Sequence, residues 1–298
     1  MDNLFTITWV VQDEEAPVLL RDYLKEKQIS KAALTDIKFH GGALFVNKEE
    51  VTVRKLLSAG DEVQVCFPPE QKSESMDAED IPLEILFEDE HFLVVNKPPR
   101  MPTIPSLYQP KGSLAAAVLF YYQEKGIPAT FHAVNRLDKD TSGLVLIAKH
   151  RFAHSLMSKQ QINKSIKRGY IAFVHGHVEK AELTINSPIG RNPDSIIERM
   201  VRDDGQPSIT HFKKIDYCSA YDFSVVRLKL ETGRTHQIRV HMSSIGHPLL
   251  GDDLYGGKMG LLDRQALHSE ETIFTHPFTG EKIKLKVDCP KDMKDLWK

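Results

Sequence analysis

The chain has 298 residues, of which 41% are apolar and 27% charged, a composition typical of a globular protein with a sizeable core. No window approaches the roughly 20 apolar residues that a membrane span needs. The three cysteines, Cys66, Cys218 and Cys289, are too few and too far apart for a disulfide framework or a four-cysteine zinc site. The first residues, MDNLFTITWV, lack the features of a secretory signal, so we expect a cytoplasmic protein that does not bind membranes.

The formal net charge of −2 conceals an uneven distribution along the chain. Residues 1–69 carry a net charge of −3, residues 70–90 carry −8, and residues 91–298 carry +9. A basic region of this size is expected when the partner is a nucleic acid, whose phosphates attract it. Evenly scattered charges that serve only solubility are the alternative, and the charge count alone does not decide between them.

The first 67 residues predict a small α+β module. A first helix is expected in PVLLRDYLKEKQIS, whose leucines fall on one face, and Ser30 is placed to cap a second helix, KAALTDIKF. Short strands are then expected at ALFVN, at Val51–Val53 and at EVQVCF. Residues 68–82 are acidic and bounded by prolines, which predicts a linker between this module and the rest of the chain.

Residues 83–298 predict a larger domain that is rich in β-hairpins. Hairpins are expected at IPLEILFEDEHFLVVNKP and TIFTHPFTGEKIKLKV, and further strands at LVLIAK, GYIAFVHG, SITHFKKIDY and FSVVRLKLETG. Ser113 is placed to cap the helix LAAAVLFYYQEK, and RFAHSLMSKQQI predicts a second helix. This order indicates an α+β fold with a mixed, mostly antiparallel sheet and flanking helices.

The first motif that could carry chemistry is AVNRLDKDTSGLVLIAKH, residues 133–150. Asp138 and Asp140 lie in a polar stretch just before a very apolar strand, where a rigid framework can position a carboxylate. An ionised aspartate there could act as a nucleophile or a base, and it would need a cationic partner away from water. A turn capped by Asp138 with Arg136 in a surface ion pair is the structural alternative.

The second motif, LKLETGRTHQIRVHMSSIGHPLLGDDLYGG, places Arg234, His236, Arg239 and His241 within eight residues. A helix is expected over residues 235–244, from which Arg239 could supply a permanently charged partner to a buried carboxylate. A basic surface helix that binds phosphate is the alternative. A metal site is disfavoured, because His236 and His241 are five residues apart rather than the four of a helical metal pair.

The pattern of the N-terminal module, IKFHGGALFVN followed by VTVRKLLSAGDEV, resembles the S-four-like RNA-binding fold. In that fold the second helix and the following loop face RNA. The resemblance therefore implies that Lys31, Lys38, Lys48, Arg54 and Lys55 contact RNA. The module is acidic overall, so a small α+β appendage without an RNA-binding function is the alternative.

The sequences NRLDKDTSGLVLIAK and TGRTHQIRVH…GHPLLGD resemble the hallmark motifs of RluA-type pseudouridine synthases, which modify uridines in ribosomal or transfer RNA. The segments PLEILFEDEHFLVVNKPPRMPTIPS, KRGYIAFVHG and RQALHSEETIFTHPFTGE extend the resemblance over nearly all of residues 83–298. One position departs from the family pattern, which usually has histidine where this chain has Asn135. The resemblance implies the isomerisation of uridine to pseudouridine in RNA without a cofactor or metal, with ribosomal RNA as the first expectation. A monomer is the default expectation for the oligomeric state.

The resemblance also implies a role for each residue of the site. Asp138 matches the essential aspartate, Tyr170 matches the tyrosine that stacks on the target base, and Arg239 matches the arginine that pairs with the aspartate. Arg136 matches the arginine that fills the gap left by the everted base. The set implied to bind substrate is Arg136, Ile238, Arg234, His236 and Asn135.

Two other functions fit parts of the pattern. A non-catalytic RNA-binding or ribosome-assembly factor on the same fold would bind RNA without turnover. A carboxylate-based glycosidase would use Asp138 together with Asp140 as its second carboxyl group, but it would leave the arginine-rich motif without a function.

Overall fold

The computed structural model describes residues 4–70 and 76–297, so residues 71–75 of the predicted linker lie outside the described part. A four-stranded sheet organises the N-terminal module and a ten-stranded sheet organises the larger domain. Within the two described ranges, no helix has the length and hydrophobicity that crossing a bilayer requires.

The N-terminal module packs two helices against its sheet. The hydroxyl of Ser30 accepts a hydrogen bond from the main chain of Ala33, so the second helix begins where the sequence predicted. A strand that the sequence analysis did not predict precedes both helices and pairs with the last strand of the module. The elements are β1 (Thr6–Val10), β2 (Val18–Leu19), α1 (Leu20–Glu26), α2 (Lys31–Phe39), β3 (Ala43–Val46), β4 (Glu49–Glu50), β5 (Leu56–Leu57) and β6 (Glu62–Cys66), and the sheet order is β1-β6-β3-β4.

The strand expected at Val51–Val53 is displaced towards the N-terminus. Asn47 and Lys48 both have positive φ angles, of 52° and 70°, and form the tight turn after β3. A two-residue turn of this kind starts the return strand at once. The return strand β4 therefore occupies Glu49–Glu50, and the predicted position is wrong by two residues.

The larger domain is a mostly antiparallel sheet flanked by helices, as the sequence predicted. The hydroxyl of Ser113 accepts a hydrogen bond from the main chain of Ala116 and begins the most apolar helix. The strands are β7 (Ile85–Glu88), β8 (Phe92–Lys97), β9 (His132–Ala133), β10 (Ser142–Ala148), β11 (Lys167–His175), β12 (Glu182–Asn186), β13 (Ile189–Arg191), β14 (Arg199–Val201), β15 (Ile209–Cys218), β16 (Phe223–Leu230), β17 (Leu267–Thr275) and β18 (Lys282–Lys286). The helices are α3 (Leu114–Glu124), α4 (Arg151–Ile162), α5 (Gln237–Ser244) and α6 (Lys291–Lys294).

The sheet path runs β12-β15-β16-β11-β17-β10-β8-β7, with β18 paired to β17 and β9 paired to β10. Strands β10 and β17 pair in parallel, and Gly143 of β10 lies opposite Ser269. A Cβ atom on Gly143 would lie 2.3 Å from the carbonyl oxygen of Ser269, so only glycine fits this position. The start of the buried strand β10 is thereby held at the centre of the sheet.

The N-terminal module packs against α4 of the larger domain. The rings of Phe67 and Phe152 stack with centroids 5.1 Å apart, and Phe5 stacks on His150 at 3.6 Å. Phe152 belongs to the same apolar cluster as the core of the N-terminal module. The two units therefore share an apolar interface.

The described parts of residues 68–82 contact this interface and the larger domain. The carboxylate of Glu70 accepts a hydrogen bond of 2.8 Å from the main chain of Arg151, the first residue of α4. On the other side of the undescribed residues, Met76 and Ile81 pack on the core of the larger domain. Both ends of the acidic segment are therefore held in place.

Candidate active site

Strand register brings the two halves of the predicted site together. Ser269 of β17 pairs with Gly143 of β10 on one side and with Tyr170 of β11 on the other. The loop that enters β10 carries Asp138, so this loop and Tyr170 lie at the same level of the sheet. Asp138 and Tyr170 both line a cleft of about 500 Å³, a volume typical of ligand-binding pockets.

A smaller cavity of about 60 Å³ adjoins this cleft. Asp138 and Tyr170 line it too, and α5 contributes Ile238 and Arg239. Tyr170 and Ile238 are 5% and 4% exposed and belong to the main apolar core, so both are rigidly packed. Burial raises the pKa of the Tyr170 phenol above its ordinary value. The structure therefore brings the three predicted catalytic residues together at one cavity.

Arg239 joins Asp138 to a second aspartate. Its Nη1 donates a hydrogen bond of 3.1 Å to Oδ2 of Asp138, while Nε and Nη2 donate to the two carboxylate oxygens of Asp252 at 2.7 and 2.8 Å. The guanidinium also lies 4.9 Å from the ring centroid of Tyr255. Burial would lower the pKa of Arg239, but the hydrogen bonds and charge of Asp252, with the charge of Asp138, raise it. A fixed cation therefore faces Asp138.

His236 lies on the other side of the same carboxylate. The helix predicted over residues 235–244 begins at Gln237, because His236 adopts a left-handed backbone with φ 56°. Its Nδ1 lies 2.8 Å from the hydroxyl of Tyr255, and its Nε2 lies 3.8 Å from Oδ2 of Asp138. Burial lowers the pKa of His236 while the charge of Asp138 opposes this shift, so the net effect favours the neutral imidazole.

Lys97 fixes the backbone of the loop that carries Asp138. This lysine is fully buried, and its ammonium donates hydrogen bonds to the carbonyls of Pro98 at 2.9 Å and Met101 at 2.7 Å. Its third hydrogen bond, of 3.0 Å, goes to the carbonyl of Lys139, the residue that follows Asp138. All three donors of the ammonium are therefore used to fix backbone.

Two further side chains fix the same loop at its ends. The hydroxyl of Thr103 donates to the carbonyl of Leu137 at 2.7 Å and accepts from its main-chain nitrogen at 3.1 Å. Arg264 donates a hydrogen bond of 3.1 Å to the carbonyl of Asp140 and forms a bidentate ion pair with Asp292 of α6. The position of Asp138 is thus determined by side chains from distant parts of the chain.

Asn135, the departure from the family pattern, connects the loop to β10. Its side-chain oxygen accepts a hydrogen bond of 2.8 Å from the main chain of Leu146, and its amide nitrogen donates to the carbonyl of Leu144 at 3.3 Å. The side chain is buried and also lines the cleft. The amide therefore satisfies two backbone groups of the central strand.

The wall of the cleft is basic. Arg136 and Arg234 are exposed at its mouth, and Lys139 and Arg168 lie along it. Asp138 is the only carboxylate among the described residues that line it, and Asp140 is absent from the lining. A second carboxyl group across the cleft, which a glycosidase would need, is therefore not provided by Asp140.

Comparison with known proteins agrees with these motifs. Residues 91–244 match the family described as RNA pseudouridylate synthase. An uncharacterized RNA pseudouridine synthase of Bacillus subtilis strain 168, YjbO, is 53% identical over 279 residues, which cover 94% of this chain and 98% of that protein. This chain belongs to the RNA pseudouridylate synthase family. It is therefore an RNA pseudouridine synthase, an enzyme that isomerises uridine within RNA.

Other pseudouridine synthases are more distant. Ribosomal large subunit pseudouridine synthase D of Xanthomonas campestris pv. campestris is 35% identical over 283 residues, which cover 90% of this chain and 84% of that protein. Human RNA pseudouridylate synthase domain containing 1 superposes with a TM-score of 0.60 at 27% identity, covering 72% of this chain and 86% of the human chain. The α+β fold predicted from the sequence is thus confirmed.

In this synthase the two histidines weighed as metal ligands have other contacts. Nδ1 of His241 lies 2.8 Å from the hydroxyl of Thr210, and Nε2 lies 2.9 Å from the carbonyl of Ser187, so both ring nitrogens are engaged. His236 contacts Tyr255. Across residues 4–70 and 76–297, no cluster of three or more histidine, cysteine or acidic side chains is arranged to hold a metal ion.

The predicted RNA-binding side chains of the N-terminal module lie at its surface. Lys31 and Lys38 are exposed on α2, two helical turns apart, and Lys48 is exposed in the turn after β3. Arg54 is exposed before β5. None of these four residues lines the cleft, whose lining is drawn from the larger domain.

Sequence reasoning missed four polar residues of this synthase's site: Asp252, Tyr255, Lys97 and Arg168. Asp252 and Tyr255 lie within the motif GHPLLGDDLYGG, which was recognised as a whole without a role for either side chain. Lys97 and Arg168 lie in NKPP and KRGY, where a basic residue beside an apolar strand was the available signal. Their contacts depend on tertiary structure, which no spacing rule supplies.

Proposed function

We propose that this enzyme converts specific uridines of ribosomal RNA to pseudouridine, with Asp138 as its catalytic carboxylate. One observation carries the proposal: the Asp138 carboxylate faces a basic cleft with the charged Arg239 at 3.1 Å and the ring of Tyr170 on the same cavity wall. The opposite charge compensates the carboxylate where it is partly removed from water.

The reaction breaks the bond between N1 of uracil and C1′ of the ribose, turns the base, and joins C1′ to C5. C5 loses its proton and N1 gains one, so the product is an isomer and no external oxidant, reductant or group donor is consumed. Asp138 acts by attack on the sugar or the base, or by assisting elimination of the base. Each route requires the base to leave its stack first, because the glycosidic bond is inaccessible inside a helix.

The remaining residues of the site receive roles from their positions. Stacking on Tyr170 offsets part of the cost of base eversion, at about 1–3 kcal/mol per base. Ile238 and Tyr170 both line the smaller cavity, where Ile238 supplies apolar surface, and the exposed Arg136 fills the space that the base leaves. Arg234 supports phosphate binding at the rim, and His236 and Asn135 shape the carboxylate side of the cleft.

Ribosomal RNA is the substrate we favour over transfer RNA. The synthase D relative from Xanthomonas campestris, 35% identical to this chain, is named for the large ribosomal subunit. We infer that residues 1–67 form an S-four-like domain that binds RNA through Lys31, Lys38, Lys48 and Arg54, that residues 68–82 connect it, and that residues 83–298 form the catalytic domain. Three unpaired cysteines agree with a reducing cytoplasmic location, where we expect the enzyme to act as a monomer.

The test is release of tritium from RNA that carries [5-³H]uridine, with a large-subunit ribosomal RNA transcript and bulk transfer RNA as separate substrates. We expect turnover on the ribosomal transcript by the wild-type enzyme and none by Asp138→Ala, with RNA binding retained. Asp140→Ala is the matched control, since this carboxylate lies two residues away and does not line the cleft. Full turnover by a folded Asp138→Ala enzyme would exclude the assigned mechanism. Binding without turnover by the wild type would favour a non-catalytic RNA-binding factor.

A further inference from the structure

Arg168 lies between two cavities of the larger domain. It precedes Tyr170 by two residues on β11, so both side chains point to the same face of the sheet. Arg168 lines the catalytic cleft and also an adjoining cavity of about 400 Å³. Leu230 is shared by the two cavities as well, so the boundary between them consists of one arginine and one leucine.

The guanidinium of Arg168 has a buried donor that is not used. Its Nε is buried and has no hydrogen-bond partner among the described residues. Two buried arginines have carboxylate partners: Arg239 pairs with Asp252, and Arg264 pairs with Asp292. A partly buried cation without an anionic partner is costly, which indicates that its anion is supplied by a ligand.

The side chains that line the adjoining cavity, like those of the cleft, carry a net positive charge. Its acidic side chains already have partners, since Glu231 contacts Lys164 and His211 at 2.7 Å and Glu271 lies between two lysines of β18. Lys167 and Lys229 add further positive charge to the wall. The excess positive charge therefore extends from the cleft, past Arg168, along the sheet.

A glycine opposite makes room for the guanidinium. A Cβ atom on Gly233 would lie 3.2 Å from Nη2 of Arg168, which is tighter than an ordinary van der Waals contact. Any larger side chain at Gly233 would push the guanidinium away from this position. The position of the charge is therefore defined by the loop before α5 as well as by β11.

We propose that Arg168 binds a phosphate of the RNA backbone next to the everted uridine, and that the strand continues from the cleft into the basic cavity. The inference rests on the proposed function for the position of the uridine. The planar guanidinium presents two parallel N–H donors that match two phosphate oxygens, and the phosphate supplies the missing counter-charge. Contact with the uracil base rather than the phosphate is the competing outcome of the test.

The test measures the affinity of the enzyme for a 20-nucleotide oligouridylate by fluorescence anisotropy at a series of KCl concentrations. We expect Arg168→Gln to weaken binding by roughly tenfold. The slope of log affinity against log salt should become shallower by about 0.7, the value for one phosphate contact on a single strand. Arg168→Lys keeps the charge and should keep most of the slope. Arg227→Gln is the matched control, because Arg227 lines neither cavity and pairs with Glu270.

An unchanged salt slope in Arg168→Gln would overturn the proposal and favour contact with the base. Gly233→Ala is a second test, because it displaces the guanidinium of Arg168 without removing its charge. We expect it to weaken oligouridylate binding, as Arg168→Gln does. In the tritium-release assay both variants should raise KM more than they lower kcat.

If the wild type binds with the expected slopes yet turns over no RNA, the proposed function fails while the phosphate site stands. If the wild type turns over RNA and Arg168→Gln keeps its salt slope, the phosphate site fails while the proposed function stands.

Discussion

Nη1 of Arg239 donates a hydrogen bond of 3.1 Å to Oδ2 of Asp138, while the two other nitrogens of the same guanidinium donate to Asp252. Asp252 is 1% exposed and accepts two hydrogen bonds from the guanidinium. The arginine is therefore held in place by the aspartate that does not line the cleft. From this guanidinium Asp138 receives one hydrogen bond, at Oδ2, and its other oxygen is free of the cation. This division leaves Asp138 charge-compensated with one oxygen free of the guanidinium, as its proposed catalytic role requires.

Arg239→Lys should separate charge from geometry. A lysine keeps the positive charge but cannot donate to both aspartates in the planar arrangement of a guanidinium. We expect kcat to fall about 100-fold, as for misplacement of a reacting group by about 1 Å, and the melting temperature to fall because a buried pair is weakened. Tritium release at saturating RNA measures kcat. Arg202→Lys is the control, since Arg202 makes the same kind of pair with Asp204 on the exposed β14 side. Equal kcat values for Arg239→Lys and wild type would contradict the positioning argument.

The elements of this fold could largely be predicted from the sequence because their signals are local. Ser30 and Ser113 begin helices by binding the main chain three residues ahead, and an acceptor side chain before an apolar run is visible in the sequence. The hairpin of β7 and β8 turns where the polar residues 88–91 interrupt two apolar runs. Patterns of this length need no knowledge of the rest of the chain.

The site could be predicted only in part, because its geometry depends on long-range contacts. The motifs identified Asp138 and Arg239, but the partner of Arg239 on its far side, Asp252, is set by the path of the chain after α5. The predicted start of that helix was wrong by two residues, because His236 takes a left-handed conformation that its sequence neighbours do not signal. Lys97 was missed since its three acceptors are carbonyls, which every residue has.

Lys97→Met should loosen the catalytic loop. The substitution keeps an apolar stem of similar length but leaves three backbone carbonyls without this donor, one of them at Lys139 beside Asp138. We expect a loss of roughly 3 kcal/mol in the free energy of unfolding and a fall in kcat. Lys149→Met is the control, because Lys149 is also buried but pairs with Glu88 away from the cleft. It should lose stability and keep kcat. A Lys97→Met enzyme with wild-type kcat would show that the loop does not depend on this lysine.

Asn135→Ala should destabilise the enzyme without abolishing its chemistry. The amide binds the main chain of both Leu144 and Leu146 on β10, and alanine would leave these buried groups unpaired. We expect a loss of about 1–3 kcal/mol in the free energy of unfolding, measured by urea denaturation. Asn135→His restores the residue usual in the family and should retain turnover, because an imidazole nitrogen can accept from Leu146. Loss of turnover in a folded Asn135→His enzyme would mean that the asparagine itself contributes to substrate choice.

Acid sensitivity should depend on His150 at the interface of the two modules. Burial, with the neighbouring His91 and His132, lowers the pKa of His150 to about 3. The unfolded chain binds a proton below about pH 6.5 while the native state does not, so stability falls as the pH drops from 6.5 towards 3. For this one group the loss at pH 5 is about 2 kcal/mol.

His150→Asn removes the titration but keeps an acceptor at the start of α4, where the ring nitrogen of His150 accepts from the main chain of Ala153. We expect a smaller difference between the unfolding free energies at pH 7.5 and pH 5 than in the wild type, measured by urea denaturation. His177→Asn, at an exposed position, should leave that difference unchanged. If His150→Asn and wild type lose the same stability at pH 5, another group controls acid unfolding.

The N-terminal module should contribute RNA affinity rather than chemistry. Lys38 and Arg54 are exposed on this module and do not line the cleft, so their neutralisation removes phosphate contacts without moving Asp138. We expect the double variant Lys38→Gln/Arg54→Gln to raise KM severalfold for a ribosomal RNA transcript at constant kcat. Lys25→Gln, exposed on α1 of the same module, is the control and should leave KM unchanged. Substitution is a sharper test than deletion of residues 1–67, because deletion would expose Phe152 and the apolar surface of α4. An unchanged KM in the double variant would remove RNA binding from the function of these two side chains.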